Sequence, residues 1–146
     1  MKNEQGETDW YDGLRVFVYG TLKPGGYYWD RFCEGKVERW WPARIHGEIY
    51  DLPVGYPAAF LGGEGWIVGV VLELMNRSAL VGLDHLEGFD PADPESARNE
   101  YWRMRVEAWP DSAGQPETVW AYGMSRETIR RSGGVWIESG NWEGEQ

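Results

Sequence analysis

Residues 14 to 19, LRVFVY, carry three consecutive apolar side chains, Val16, Phe17 and Val18, straight into the glycine turn of YGTLKPGG. A strand with one face in water alternates polar and apolar residues, whereas an unbroken apolar run needs cover on both faces. The segment therefore predicts a short central strand with packed structure on either side. Its abrupt end at Gly20, Thr21 and Leu22, with Pro24, Gly25 and Gly26 just beyond, predicts an open loop at the edge of the core.

The rest of the chain reads as mostly β. YYWDRFCE, 27 to 34, sets Tyr28 and Phe32 four apart and predicts a short helix that Gly35 stops. Strands are expected over 36–41, 44–51, 57–61 and 66–74, with Ile45, Gly47 and Ile49 alternating, and with Trp66, Val68, Val70, Leu72 and Leu74 sharing one face. Pro42, Pro53, Gly55 and the Gly62–Gly63 pair read as breaks between them. Asn76 is a natural N-cap for a helix over 77–86, where Leu80, Leu83 and Leu86 recur every three residues and Gly88 supplies the cap. The acidic stretch FDPADPESARNE, 89 to 100, is expected to be a solvated excursion, or alternatively a lid facing a substrate. YWRMRVEAW, 101 to 109, and TVWAY, 118 to 122, form a hairpin around a turn-rich linker, and the remainder reads as irregular. About seven strands and two or three helices, many strands being antiparallel neighbours, give an α+β domain built on a small mixed β-barrel with flanking short helices.

At 146 residues the chain suits a single domain, with 1–13 and 143–146 expected as loose tails. No apolar run approaches the roughly 20 residues of a membrane span, and the first residues lack the apolar core of a signal peptide, so a cytoplasmic address is expected. The net charge of -10 repels phosphate backbones and anionic lipid, which argues against nucleic acid or membrane as partner. The oligomeric state is left open. Ten Trp and eight Tyr point either to aromatic clefts or to heavy cores.

Most common chemistries lack their parts. His46-Gly47-Glu48 has the H-x-E element of zinc deaminases, but a chain whose only cysteine is Cys33 cannot supply the P-C-x-x-C pair. Neither a zinc site nor a cofactor is expected. Nothing places a histidine base near Cys33, which reads as a buried, inert thiol. No G-x-S-x-G occurs, and GTLKPGG lacks the order of a phosphate-binding P-loop. What remains is an acid or base without enzymatic nucleophile or metal. Glu87, in LDHLEGFD, stands at the end of an apolar helix, where unpaired carbonyls disfavour ionisation and raise a carboxyl pKa. Taken alone, it reads first as a solvated surface carboxylate, since glutamates at helix ends are common.

Read in order, Tyr19-Gly20-Thr21-Leu22, then Leu83, Asp84, Glu87 and Gly88, then Tyr101 and Arg103 resemble the γ-glutamylcyclotransferase-like (AIG2-like) family. Gly55-Tyr56-Pro57, Tyr122 and the closing Gly140-Asn141-Trp142 add to a likeness that extends over about 14 to 142. The resemblance implies a small barrel that cyclises a γ-glutamyl amine or peptide to 5-oxoproline, releasing the amine. It implies Glu87 as general base and then acid, with Tyr19, Gly20, Thr21, Leu22, Tyr101 and Tyr122 at the substrate. The backbone N–H groups of the glycine turn would receive a carboxylate or oxyanion, although a turn needing glycine only for its geometry fits the same residues. Tyr101 and Tyr122 are open to a core role, and Arg103 reads as a structural partner of an acidic neighbour. Two other readings stand beside this one. One is a non-catalytic sugar- or amino-acid-binding module on the same barrel. The other is an interaction protein using Trp40, Trp41, Trp136 and Trp142.

Overall fold

In the computed structural model, which describes residues 13–143, the apolar run becomes β1 (Arg15–Val18). The tails expected over 1–13 and 143–146 lie, but for their innermost residues, outside the described part. β1 is central as expected. It runs antiparallel to β3 (Pro57–Leu74), with Val16 opposite Leu72 and Phe17 opposite Val71, and parallel to β5 (Glu117–Gly123), with Phe17 opposite Ala121. β5 pairs with β4 (Trp102–Pro110) in the predicted hairpin, β4 pairs with β2 (Val37–Asp51), and β2 pairs with β3. The ring β3-β1-β5-β4-β2 thus closes into a five-stranded barrel. The short β6 (Val135–Trp136) extends it at Tyr50 and Asp51.

The unbroken run in β1 is divided between two layers. Phe17 packs inside the barrel with Ile45, Ile67, Val71 and Val119, where Ala43, Ala108 and Ala121 leave room for the larger chains. Val16 and Val18 face outward and are covered, with Leu72 and Leu74, by Leu80 and Leu83 of α2 (Arg77–Glu87). The hydrophobic effect on both sides, at about 25 cal/mol per Å² removed from water, holds this strand in place. The caps of α2 are those expected: Asn76 Oδ1 accepts from Ala79 N–H at 3.1 Å, and Gly88 is left-handed at φ 66°.

Several boundaries differ. The four strands expected between 36 and 74 are two long ones, because two turn signals lie within strands. Pro42 is inside β2, where its carbonyl accepts from Asp111 N–H at 3.1 Å. Gly62 and Gly63, both at positive φ, belong to a bulge: the register passes from Gly47 opposite Leu61 to His46 opposite Trp66, leaving residues 62–65 over. The face shared by Trp66 to Leu74 is apolar along its length but covered only at its α2 end, since Trp66 and Val68 are exposed while Leu72 and Leu74 are buried. The first helix is only α1 (Trp29–Phe32). The region read as irregular holds α3 (Arg126–Arg131), capped by Ser125 Oγ, which accepts from Thr128 N–H at 3.1 Å. Trp142 is buried in the barrel core and donates from Nε1 to Asp51 Oδ1 at 2.9 Å, whereas Trp40 and Trp136 are exposed and Trp41 is half-buried. Among the described residues no helix is long and apolar enough to cross a membrane.

Candidate active site

Where β1 ends, the Gly20–Leu22 turn, the start of β3 and the end of α2 surround a cavity of about 150 Å³. Tyr19, Gly20, Thr21, Leu22, Glu87, Tyr101 and Tyr122, widely separated in the chain, all line it. So do Tyr28, Tyr56 and Glu100, which the motifs did not single out as site residues. Cys33 is fully buried elsewhere, its thiol pushed up to about 12 by that burial.

The turn is held by its own main chain. Lys23 N–H donates to Gly20 O at 3.1 Å and Tyr28 N–H to Thr21 O at 2.9 Å, and among the described residues no backbone acceptor takes the N–H of Thr21 or Leu22. Gly20 is required for closeness, since its φ is not positive: a Cβ there would meet Pro57 Cγ at 2.7 Å and Cδ at 2.9 Å. Gly20→Ala is expected to push the turn off Pro57 and to destabilise by about 1–3 kcal/mol, read as a lower thermal midpoint. An unchanged midpoint would mean that the approach is looser than described.

Three phenols are committed to structural bonds. Tyr19 Oη donates to Tyr122 O at 2.7 Å, Tyr101 Oη to Pro57 O at 2.8 Å, and Tyr122 Oη to Asp84 Oδ1 at 2.6 Å. Burial pushes all three phenols upward, with Glu87 adding to each, so none titrates near neutrality. Asp84 lies one helical turn before Glu87 and is buried against Arg103, whose Nε is 3.1 Å from Asp84 Oδ1. That is the acidic partner expected for Arg103. Burial outweighs both partners and holds the Asp84 carboxyl above its ordinary value.

Glu87 is half-buried at the cavity wall, and its carboxyl is pushed up to about 8. The shift was expected, but its cause differs. The carbonyls at the end of α2 are mostly taken: Phe89 N–H donates to Asp84 O, Gly88 N–H to His85 O, and Tyr101 N–H to Glu87 O. Burial is the main cause, followed by the charges of Glu100 and Asp84. The bonds from Tyr101 N–H to Glu87 O and from Glu100 N–H to Gly88 O, the latter at 3.0 Å, dock the entry to β4 on the helix end and bring the two glutamates to one cavity.

The acidic loop between them is largely exposed, as expected, yet it is tied. Buried Asn99 accepts from Asp90 N–H at 3.0 Å through Oδ1 and donates through Nδ2 to Asp93 O at 3.0 Å. Only the end of the loop, Glu100, reaches the cavity. Tyr56 Oη lies 3.4 Å from Glu100 Oε2 as a donor. The Gly55-Tyr56-Pro57 motif was a signal that pointed to this wall; nothing local marked Glu100.

The family model for γ-glutamyl cyclotransferase, AIG2-like, matches residues 16–144. The chain belongs to this family. Solved structures agree on the fold of the γ-glutamyl cyclotransferase, AIG2-like chain described here. An AIG2-like protein from Mus musculus superposes with a TM-score of 0.59 at 17% identity, over 92% of this chain and 90% of that one. An Arabidopsis thaliana protein solved in solution gives 0.61 at 24%, over 92% and 72%. YkqA from Bacillus subtilis gives 0.62 at 20%, over 89% of this chain but only 39% of its own, so this chain spans well under half of that protein. A comparison with curated proteins finds no match.

Proposed function

We propose that this chain is a γ-glutamyl cyclotransferase that converts a γ-glutamyl amine or peptide to 5-oxoproline and the free amine, with Glu87 as base and then acid. The observation that carries this reading is one carboxyl raised to about 8 in a cavity that the Gly20–Leu22 turn also lines, where among the described residues no backbone acceptor takes the N–H of Thr21 or Leu22.

The substrate supplies its own nucleophile. Its α-amine nitrogen forms a bond to the δ-carbonyl carbon of the same residue, the carbonyl π electrons move onto oxygen, and the resulting tetrahedral centre expels the amine nitrogen with its bonding pair. Well-oriented ring closure of this kind reaches effective molarities of about 10⁵–10⁸ M, so holding the chain folded is a large part of the work. The turn's N–H groups suit the developing oxyanion, where fixed dipoles cost no reorganisation. Proton traffic falls to Glu87. A carboxyl raised from its ordinary 4.5 to about 8 is a far better proton acceptor for the α-ammonium than an ordinary Glu, and the same carboxyl then returns the proton to the leaving nitrogen. Tyr19, Tyr101 and Tyr122 serve as wall and floor, their protons being committed elsewhere.

The test is incubation with a panel of γ-glutamyl amides, following 5-oxoproline and free amine by NMR. Equimolar appearance of both is expected. A broad panel that yields no 5-oxoproline, with tight binding of a sugar or amino acid, would replace this reading with that of a binding module.

A further inference from the structure

The Gly20–Leu22 turn is tied from behind by the far end of the chain. Lys23 N–H closes the turn on Gly20 O, and the Lys23 ammonium donates onward to Trp142 O at 3.0 Å. Gly20, at the other end of the turn, lies over the Trp142 ring, where a Cβ built on it would stand 3.9 Å from Cε3. Both ends of the turn therefore rest on one residue, with the N–H groups of Thr21 and Leu22 between them. Neither Lys23 nor Trp142 is among the residues that line the cavity.

Trp142 is itself fixed. Its ring is buried in the barrel core with Tyr19, Ile49 and Ile67, and its Nε1 donates to Asp51 Oδ1 at 2.9 Å. The segment that carries it is pinned to β2 and β3: Ile137 N–H donates to Ile49 O and Val68 N–H to Gly140 O, each at 2.9 Å. Gly140, at φ 76°, passes so close to Trp66 O that a Cβ would collide with it. Hydrogen-bond donors stabilise a developing charge only where their direction is fixed beforehand. A turn followed by Pro24, Gly25 and Gly26 takes little stiffness from its own sequence, so a charge-assisted bond to a buried residue is a strong external restraint.

We propose that Lys23 and Trp142 are positioning residues, a clasp that keeps the N–H groups of the turn aimed at the developing oxyanion. The inference rests on the cyclotransferase reading and deepens it. Neither residue touches a reacting atom in this scheme: Trp142 offers a fixed carbonyl and ring, and Lys23 locks the turn to them.

Two measurements test the clasp, one with turnover and one without. In Lys23→Met, kcat for 5-oxoproline formation is expected to fall by about tenfold to a hundredfold with KM within about threefold, and Lys23→Arg, which keeps a cationic donor, to recover most of the loss. A rise in KM at unchanged kcat would instead make Lys23 a charge that attracts the substrate carboxylate, and would overturn the proposal. The second measurement is the backbone ¹⁵N order parameters of the ligand-free protein. Those of Thr21 and Leu22 are expected to drop from about 0.85 in the parent toward about 0.6 in Lys23→Met, while Val16 and Val18 hold theirs. Trp142→Phe, which keeps a buried ring and gives up the bond to Asp51, should shift the same two amides and kcat in the same direction. Unchanged order parameters at Thr21 and Leu22, a loss that spreads equally to Val16 and Val18, or an effect confined to Lys23→Met overturns the clasp. Absence of 5-oxoproline from the parent, with the loss of order at Thr21 and Leu22 intact in both variants, would leave the clasp standing and remove the cyclotransferase reading beneath it.

Discussion

Glu87→Gln is expected to lower 5-oxoproline formation by about 10²–10⁴-fold and, at the same time, to make the protein more stable at neutral and alkaline pH. The second half follows from linkage. The folded carboxyl titrates at about 8 against an ordinary 4.5. Below the unfolded value it is neutral in both states and contributes no pH dependence. Between the two values the unfolded chain has released its proton while the native one retains it, so the wild type loses stability as pH rises through this window. Glutamine carries no such charge at any pH, so the advantage of the variant should grow from nothing near pH 4.5 to roughly 2–4 kcal/mol near pH 8, discounted for solvent in the cavity. Denaturant unfolding of both proteins from pH 4.5 to 9 measures it. In the parent protein, kcat/KM for 5-oxoproline formation is expected to rise with pH toward a limb near 8, because the base form of Glu87 is the minority species at neutrality. Parallel stability curves for the two proteins would place Glu87 in ordinary solvent and remove the basis for its role.

Asp84→Ala should be the most destabilising change near the site, by about 3–5 kcal/mol, because it takes an ion-pair or hydrogen-bond partner from each of two buried groups. Arg103, whose side chain is 1% exposed, loses its carboxylate at 3.1 Å, and Tyr122 Oη loses its acceptor at 2.6 Å. The charge is the larger part. Adding Arg103→Met to Asp84→Ala is therefore expected to recover a substantial share, of order 1–3 kcal/mol, although the guanidinium packed over Trp120 at 4.3 Å is also lost. Thermal or denaturant midpoints of the two single variants and the double variant close the cycle. Additive losses would mean that the pair is not coupled. Where the variants fold, KM should suffer more than kcat, since Tyr122 walls the cavity and Asp84 acts only through it.

The parts of this arrangement that could be read from residue order are those with local causes. β1 and α2 were predictable because an apolar run and a capped leucine periodicity specify their own packing, and the hairpin β4–β5 because alternation flanks a turn. Pro42 and the Gly62–Gly63 pair misled for a definite reason. Proline and glycine mark places where the backbone lacks a donor or takes positive φ, and such places occur inside long barrel strands as well as between short ones. α3 was missed because six mostly polar residues carry no periodicity to detect. Within the cavity, Glu87 was reached by its position and by family likeness, but the source of its raised pKa is burial, which only the assembled walls provide. Glu100 belongs to a stretch without any pattern. It enters the cavity because Gly88, left-handed and with a would-be Cβ 3.1 Å from Glu100 Cβ, lets the chain return tightly against the helix end.

The central claim is that the substrate's own α-amine, and neither water nor a protein side chain, attacks the δ-carbonyl. Turnover of a γ-glutamyl amine in H₂¹⁸O, with the products analysed by mass spectrometry, tests it most directly. The account predicts one equivalent of 5-oxoproline free of ¹⁸O for each amine released. Glutamate carrying ¹⁸O, or a glutamyl group attached to the protein, would contradict it.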